Sequence, residues 1–258
     1  MIHDWKAFSQ AIDTRGYHLV ESLLAAELVD ELRSALELAI KLEAEYHGGT
    51  GHQDFGMVQC CPMYSSVFIE VFDHDEVVDP LEAILGEGCV TYSYSSSSQP
   101  PGQVNFSGRI HVDCPRVVPD YLTNFGVILL LDDFKEENGA TWYLPGSQWD
   151  EVPPPEREFY SKAERLVAPA GSAWFFNPRL WHAGGQNTTD KWRHSLGINM
   201  CRSYMKQRFD IPRLLRDQDM SGVSERALQK LGFLTQTPTS LDEYYAPLGQ
   251  RTFRQKYE

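Results

Sequence analysis

His111 and Asp113 stand two residues apart in RIHVDCP. Side chains of an extended strand alternate between faces, so this spacing brings an imidazole and a carboxylate to one side, as two neighbouring metal ligands require. The same pair also reads as a His and an Asp sharing a hydrogen bond on a partly exposed face. A third ligand has to come from another element. His182, in NPRLWHAGG, is the candidate, and His194, His74 and His52 compete with it. Two histidines and one carboxylate form a facial triad with open coordination positions, which suits non-haem Fe(II). The same donors with water in the open position suit a zinc hydrolase. A metal-binding jelly roll without oxygenase activity, such as a sensor or a carbohydrate-binding module, needs the triad and nothing more.

Arg193 follows His182 by eleven residues and precedes Ser195, which opens the run SLGINMC. An arginine pointing inward from a strand is costly to bury unless it meets an anion, and its planar fork matches a carboxylate. The distal carboxylate of 2-oxoglutarate is such an anion, with the Ser195 hydroxyl as a second donor. The alternative is an edge-strand arginine in water. A sensor or binding module has no need of Arg193 and Ser195.

These residues need a scaffold. The chain has 258 residues, enough for one large domain with a full core, and no composition shift or internal repeat divides it. Residues 23–45 place Leu28, Leu32, Leu36 and Ala39 at helical spacing, with Glu37 and Lys41 as an outer ion pair, and predict an amphipathic helix covering a sheet. From Cys89 onward, short β-branched and aromatic runs follow one another without intervening helices: CVTYSY, VNFSGRIHV, FGVILLL, TWYL, SAWFF and SLGINMC. They predict an antiparallel sandwich or barrel. The run 127–131 is apolar throughout, as for a strand covered on both faces. After Tyr204 the chain turns polar and helical, with Leu214, Leu215, Leu228 and Leu231 as anchors.

With 23 basic and 36 acidic residues the formal charge is −13, which repels a nucleic-acid backbone. No stretch reaches the roughly 18 apolar residues of a membrane span, and MIHDWKAFSQ lacks the features of an export signal. The five cysteines are odd in number and form no CxxC pair, which argues against a disulfide framework and for a reducing cytoplasm. The expected partner is therefore a small molecule, with neither nucleic acid nor membrane.

Several motifs in order resemble the phytanoyl-CoA dioxygenase family over roughly residues 8–235. FSQAIDTRGYHLVESLLAAELVDELRSAL is similar to its N-terminal segment, and LLLDDFKEENGATWYLPGSQW resembles its Asn-Gly turn followed by Pro-Gly-Ser-His, with Gln148 replacing the histidine. The resemblance implies a mainly β fold, a double-stranded β-helix or cupin-like jelly roll with flanking helices. One domain over 1–258 is then expected, with a helical N-terminal segment over about 1–50, a jelly-roll core over about 85–205 and a helical C-terminal segment over about 206–258. It also implies an Fe(II)- and 2-oxoglutarate-dependent dioxygenase that consumes O2 and releases succinate and CO2. His111, Asp113 and His182 fall on the iron ligands, and Arg193 falls on the 2-oxoglutarate anchor. Related halogenases carry a small residue in place of the carboxylate; with Asp113 present, hydroxylation is expected instead. VNFSGRIHVDCPR is unlike the acyl-CoA hydroxylases, which points to a small metabolite such as a natural-product intermediate.

The remaining candidates are less constrained. Tyr92, Tyr94, Gln103 and Asn105 precede the first ligand and are placed at the cavity mouth. Asn124 and Thr141 are placed beside 2-oxoglutarate, and Arg116 and Arg202 opposite an acidic substrate. The competing readings are a satisfied strand polar group, a packed aromatic or a surface ion pair.

Overall fold

A computed structural model describes residue 2 and residues 4–251, so the final part of the expected C-terminal segment, 252–258, lies outside the described residues. Helix α1 (Trp5–Arg15) starts at Asp4, whose carboxylate accepts the Ala7 N–H, and stops at Gly16 in the left-handed region. Strand β1 (Tyr17–Val20) and helix α2 (Ala26–Tyr46) follow. Helix α2 is the helix expected over 23–45, and it buries Val29, Leu32, Leu36, Ala39 and Ile40 along one stripe. Two further helices, α3 (Val67–Glu70) and α4 (Asp75–Leu85), precede strand β2 (Val90–Ser96) and make the chain mixed in content.

The core then runs through β3 (Asn124–Leu130), β4 (Trp142–Tyr143), helix α5 (Glu156–Lys162), β5 (Glu164–Arg165), β6 (Ala173–Phe176), β7 (His182–Ala183) and β8 (Ser195–Cys201). The short helices α6 (Ile211–Leu214), α7 (Glu225–Leu231) and α8 (Leu241–Tyr245) close the described chain. A five-stranded antiparallel sheet has the order β1-β6-β3-β8-β2, and a three-stranded sheet has the order β5-β4-β7. The fold is a jelly roll with flanking helices.

The apolar run 127–131 is covered on both faces, as its composition implies. Phe125, Val127 and Leu129 join the core shared with the helices. Leu130, with Ile128 packed beside it, belongs to a second cluster between the sheets, where Trp174, Phe176, Tyr143 and Leu180 meet. Leu215 and Leu231 anchor the C-terminal helices in the larger core, whereas Leu214 is exposed.

The strand expected over 104–112 does not form. Phe106–Gly108 make a 3-10 turn capped by Asn105, whose side chain accepts the Ser107 N–H at 3.1 Å; a local side-chain bond of this kind competes with a ladder. Only His111 pairs, in an isolated bridge with His182.

Phe8 fixes α1 to the larger sheet. It is fully buried, with its ring edge-on to Phe125 and Phe175 at centroid distances of 6.1 and 5.9 Å. Phe8→Ala should cost about 3–5 kcal/mol in urea unfolding, as other buried aromatic truncations do, while Leu38→Ala on the outer face of α2 should stay within about 0.5 kcal/mol.

His194 is also internal. It stacks on Trp192, its Nδ1 lies 2.9 Å from the Ser98 hydroxyl, and its N–H donates to Asp132 at 2.7 Å. Burial lowers its pKa from 6.5 to about 4, against the pull of Asp132 and with the repulsion of Arg193 and Arg33. The unfolded chain therefore binds a proton that the folded one refuses between these values. Stability should be full above about pH 6.5 and fall as pH drops towards 4, by at most about 1.4 kcal/mol per pH unit from this group. Urea midpoints at stepped pH should show a flatter acid limb for His194→Gln; an unchanged slope would place the proton uptake elsewhere.

Candidate metal centre and cavity

Two irregular segments meet at His111 and His182. The His111 N–H donates to the His182 carbonyl at 2.9 Å, and the His182 N–H returns the bond at 3.0 Å. Two residues on, the Asp113 N–H donates to the Pro178 carbonyl at 2.8 Å, which ties the first ligand loop to the turn between β6 and β7. His182 is held from its other side by Tyr143 of β4.

Each imidazole has one nitrogen committed. Nδ1 of His111 sits 2.7 Å from the Arg109 carbonyl, and Nδ1 of His182 sits 2.9 Å from the Leu180 carbonyl. A carbonyl accepts only from N–H, so both rings carry a proton on Nδ1, which leaves Nε2 as the nitrogen turned towards Asp113. The His111 Nε2 lies 3.5 Å from one Asp113 oxygen and the His182 Nε2 lies 3.9 Å from the other. A ligand atom from each residue falls within 4.8 Å of the other two, an arrangement that fits one metal ion.

The electrostatics agree with a ligand set. Burial, with the charge of His111, pushes His182 down to about 4 against the pull of Asp113, so its lone pair is free at neutral pH. Burial would raise Asp113, but His182, His111 and Arg208 together hold it below the ordinary carboxylate value. Burial would lower His111, but Asp113 and the Arg109 carbonyl lift it above 6.5. Among the rival histidines, His194 is internal as described, His74 precedes α4 as its N-cap, and His52 stacks on His47. None joins the cluster.

The triad faces a cavity of about 410 Å³. Thr141, Ile128 and Phe176 form one wall of it. Gly126 makes room for the Phe176 ring, since a Cβ there would lie 2.7 Å from it. Arg193 is 1% exposed and lies behind the lining residue Ser97. Its Nη1 donates to the Ser97 carbonyl and the Ser195 hydroxyl, both at 3.2 Å, and its Nη2 to the Gly139 carbonyl at 3.1 Å. The guanidinium stacks on Phe134, its Nε has no partner, and no carboxylate of the described residues pairs with it. Burial pulls its pKa down to about 9, with Asp132 opposing and Arg165 reinforcing, so it remains charged but poorly compensated at neutral pH. Arg193 and Ser195 are thus adjacent, as expected.

Other expected contacts fall elsewhere. Tyr94 is buried on the helix side against Phe68 and Phe72, because a bulge between Thr91 and Ser93 turns Tyr92, Ser93 and Ser95 towards the cavity instead. Gln103 is exposed and outside the lining; its carbonyl accepts the Asn187 N–H. Asn105 spends its side chain on Ser107, Gln99 and the Ser98 carbonyl. Asn124 is one layer back, donating to Asn199, which does line the cavity. Arg116 is exposed and away from the cavity. Arg202 binds the Leu122 carbonyl and the carbonyls of Ile84 and Leu85 at the C-terminus of α4, where a cation is favoured. Gln148 is fully buried and donates to the Asp13 carbonyl, a packing role as expected.

Sequence reasoning missed Gln53, Asp54, Met57, Arg109 and Arg208, all of which line the cavity. It also missed Ser93, Ser95, Ser96 and Ser97, whose serine run carries no alternation that would mark a face.

Comparison with known proteins agrees with this geometry. The sequence matches the phytanoyl-CoA dioxygenase (PhyH) family over residues 12–195. It is 28% identical over 255 residues to uncharacterized protein Rv1501 of Mycobacterium tuberculosis, covering 95% of this chain and 92% of that one. It is 29% identical over 123 residues to dioxygenase cdmD of Talaromyces verruculosus, covering 45% of this chain and 38% of that one. The fold is similar to the non-heme monooxygenase ThoJ, solved as a nickel complex, with a TM-score of 0.60 at 17% identity, covering 78% and 80% of the two chains. AviO1 from Streptomyces viridochromogenes gives the same TM-score and identity, covering 80% of this chain and 98% of that one. With the family matched across most of the chain and the His-Asp-His cluster in place, this protein belongs to the phytanoyl-CoA dioxygenase family of oxygenases.

Proposed function

We propose that the protein is an Fe(II)- and 2-oxoglutarate-dependent dioxygenase that hydroxylates a C–H bond of a small metabolite, such as a natural-product intermediate. His111, Asp113 and His182 are its iron ligands, and Arg193 with Ser195 anchors the distal carboxylate of 2-oxoglutarate. The observation that carries this reading is the pairing of a three-donor cluster with a buried, uncompensated guanidinium behind the same cavity wall. A zinc hydrolase or a non-catalytic binding module would leave Arg193 without an anion to meet. We further read the chain as one functional domain, in a reducing cytoplasm that suits its five unpaired thiols.

When bound, iron would activate O2, which is the oxidant, and 2-oxoglutarate would supply two of the four electrons O2 takes up, leaving as succinate and CO2. The chain's own residues position and shield. The Arg109 and Leu180 carbonyls keep both Nε2 atoms aimed at one point. Arg193 would exchange its carbonyl partners for the incoming carboxylate, with Ser195 as a second donor. Phe176 and Ile128 present an apolar wall to the reacting region. Asp113 keeps the carboxylate that halogenases of the family lack, which supports hydroxylation.

Anaerobic addition of Fe(II) and 2-oxoglutarate should produce a weak visible band near about 500 nm, which zinc cannot give. His182→Ala should abolish both the band and succinate release. Full succinate release by that variant would exclude His182 as a ligand.

Arg193→Ala should raise the 2-oxoglutarate requirement by about one to three orders of magnitude, and Arg193→Lys should recover only part of it, because an ammonium cannot reproduce the fork. Titration of the visible band with 2-oxoglutarate measures this directly. An unchanged requirement in the Ala variant would move the anchor to another residue.

A further inference from the structure

We infer that the substrate carries an oxyanion, a carboxylate or a phosphate monoester, and that Arg208 and Arg109 at the cavity rim hold it. The inference rests on the oxygenase reading for the word substrate and on the rim geometry for the chemistry.

Arg109 and Arg208 both line the cavity that contains the triad. Arg109 is held in place, its guanidinium lying 3.5 Å over the Phe106 ring, which lines the same cavity. Arg208 is fixed through its backbone, whose N–H donates to the Tyr92 carbonyl at 2.9 Å. Among the described residues neither side chain forms an ion pair or a hydrogen bond. That matters in a chain with 36 acidic residues against 23 basic ones, where counter-ions are plentiful. Arg226, for comparison, meets Asp75, Asp79 and Glu82. The carboxylates in the lining are Asp113, which attracts Arg208 at a distance but is in contact with the two histidines, and Asp54, which pairs with neither arginine. The rim is thus a local positive site on an acidic protein, and two forks with free donors match an oxyanion.

The cosubstrate anchor does not account for Arg208. That anchor, Arg193, precedes Ser195 at one end of β8, whereas Arg208 is tied to Tyr92, beside the pairing of Ser93 with Asn199 near the other end. The four residue steps from Ser195 to Asn199 span roughly 13 Å at strand rise. A volume of about 410 Å³ leaves room for a second small molecule.

The test measures binding of three fluorescent probes by anisotropy: 1-naphthoate, 1-naphthyl phosphate and the neutral 1-naphthamide. It uses the Fe(II)-loaded protein without O2, with and without saturating 2-oxoglutarate. At least one anion should bind ten-fold or more tightly than the amide, and the tighter anion identifies the oxyanion. Arg208→Gln and Arg109→Gln should each remove most of that ratio, Arg208→Lys should retain part of it, and Arg116→Gln, outside the cavity, should leave it unchanged. Saturating 2-oxoglutarate should not displace the anion. An amide that binds as well as both anions, absence of binding by every probe, a ratio unchanged in both Gln variants, or displacement by 2-oxoglutarate would each overturn the inference. Because the readout needs no turnover and can be repeated without metal, a protein that fails the visible-band test can still pass or fail this one.

Discussion

The reciprocal backbone bonds between His111 and His182 are the constraint on which the centre depends. The segment before His111 is irregular, so no ladder holds that ligand from its own side of the chain. Its position comes instead from β7, which is itself held by Tyr143. With two bonds to His182 and one from Asp113 to Pro178, the loop inherits the rigidity of the smaller sheet. The ring orientations also come from main-chain carbonyls, two residues before each histidine. The donor geometry is therefore set by backbone conformation, with little dependence on neighbouring side chains, and the lining around it is free to vary with the substrate.

Burying Arg193 imposes a second requirement. A guanidinium out of water needs its donors met, and three acceptors leave the Nε N–H and one Nη2 N–H without an acceptor, beside the Phe134 face. One acceptor is the carbonyl of Gly139, which has a φ of 85° and packs so tightly that a Cβ would come within 2.6 Å of the Gly185 carbonyl. The Asn-Gly turn is thus explained at this position: only glycine both adopts that conformation and leaves room for the neighbouring backbone. The residual shortfall at Arg193 is a cost to the fold, and the carboxylate proposed to bind there would relieve it.

Elements fixed by periodicity were legible in the sequence, and positions fixed by irregularity were not. Helix α2 and the doubly covered β3 follow from spacing and from an unbroken apolar run. The triad was found through a period of two, although the strand that suggested this period is absent; the bridge at His111 supplies the extended geometry that the pairing of His111 with Asp113 needs. Tyr94 was misplaced because a single bulge inverts the faces of β2 beyond Thr91. Arg202 and Arg208 could not be told apart by composition. One meets the carbonyl end of a helix and the other opens into the cavity, a difference created by packing distant in sequence. The contributions of Gln53, Asp54 and Met57 come from a loop without periodic pattern, where the chain path is set by the structure it packs against.

The two groups of arginines then differ in physical regime. Arg193 is fully internal, so its attraction for a carboxylate is weakly screened, directional and tied to one geometry. Arg109 and Arg208 stand at a wetted rim, where each interaction is weaker and falls with ionic strength, yet acts at longer range on an approaching anion. The proposed cosubstrate anchor is of the first kind, which suits a ligand whose shape never changes. The proposed substrate contact is of the second kind, and the Arg109 and Arg208 side chains can be exchanged without touching the backbone clamp between His111 and His182. On the proposed reading, the internal guanidinium just before β8 serves the cosubstrate and the exposed pair serves the substrate.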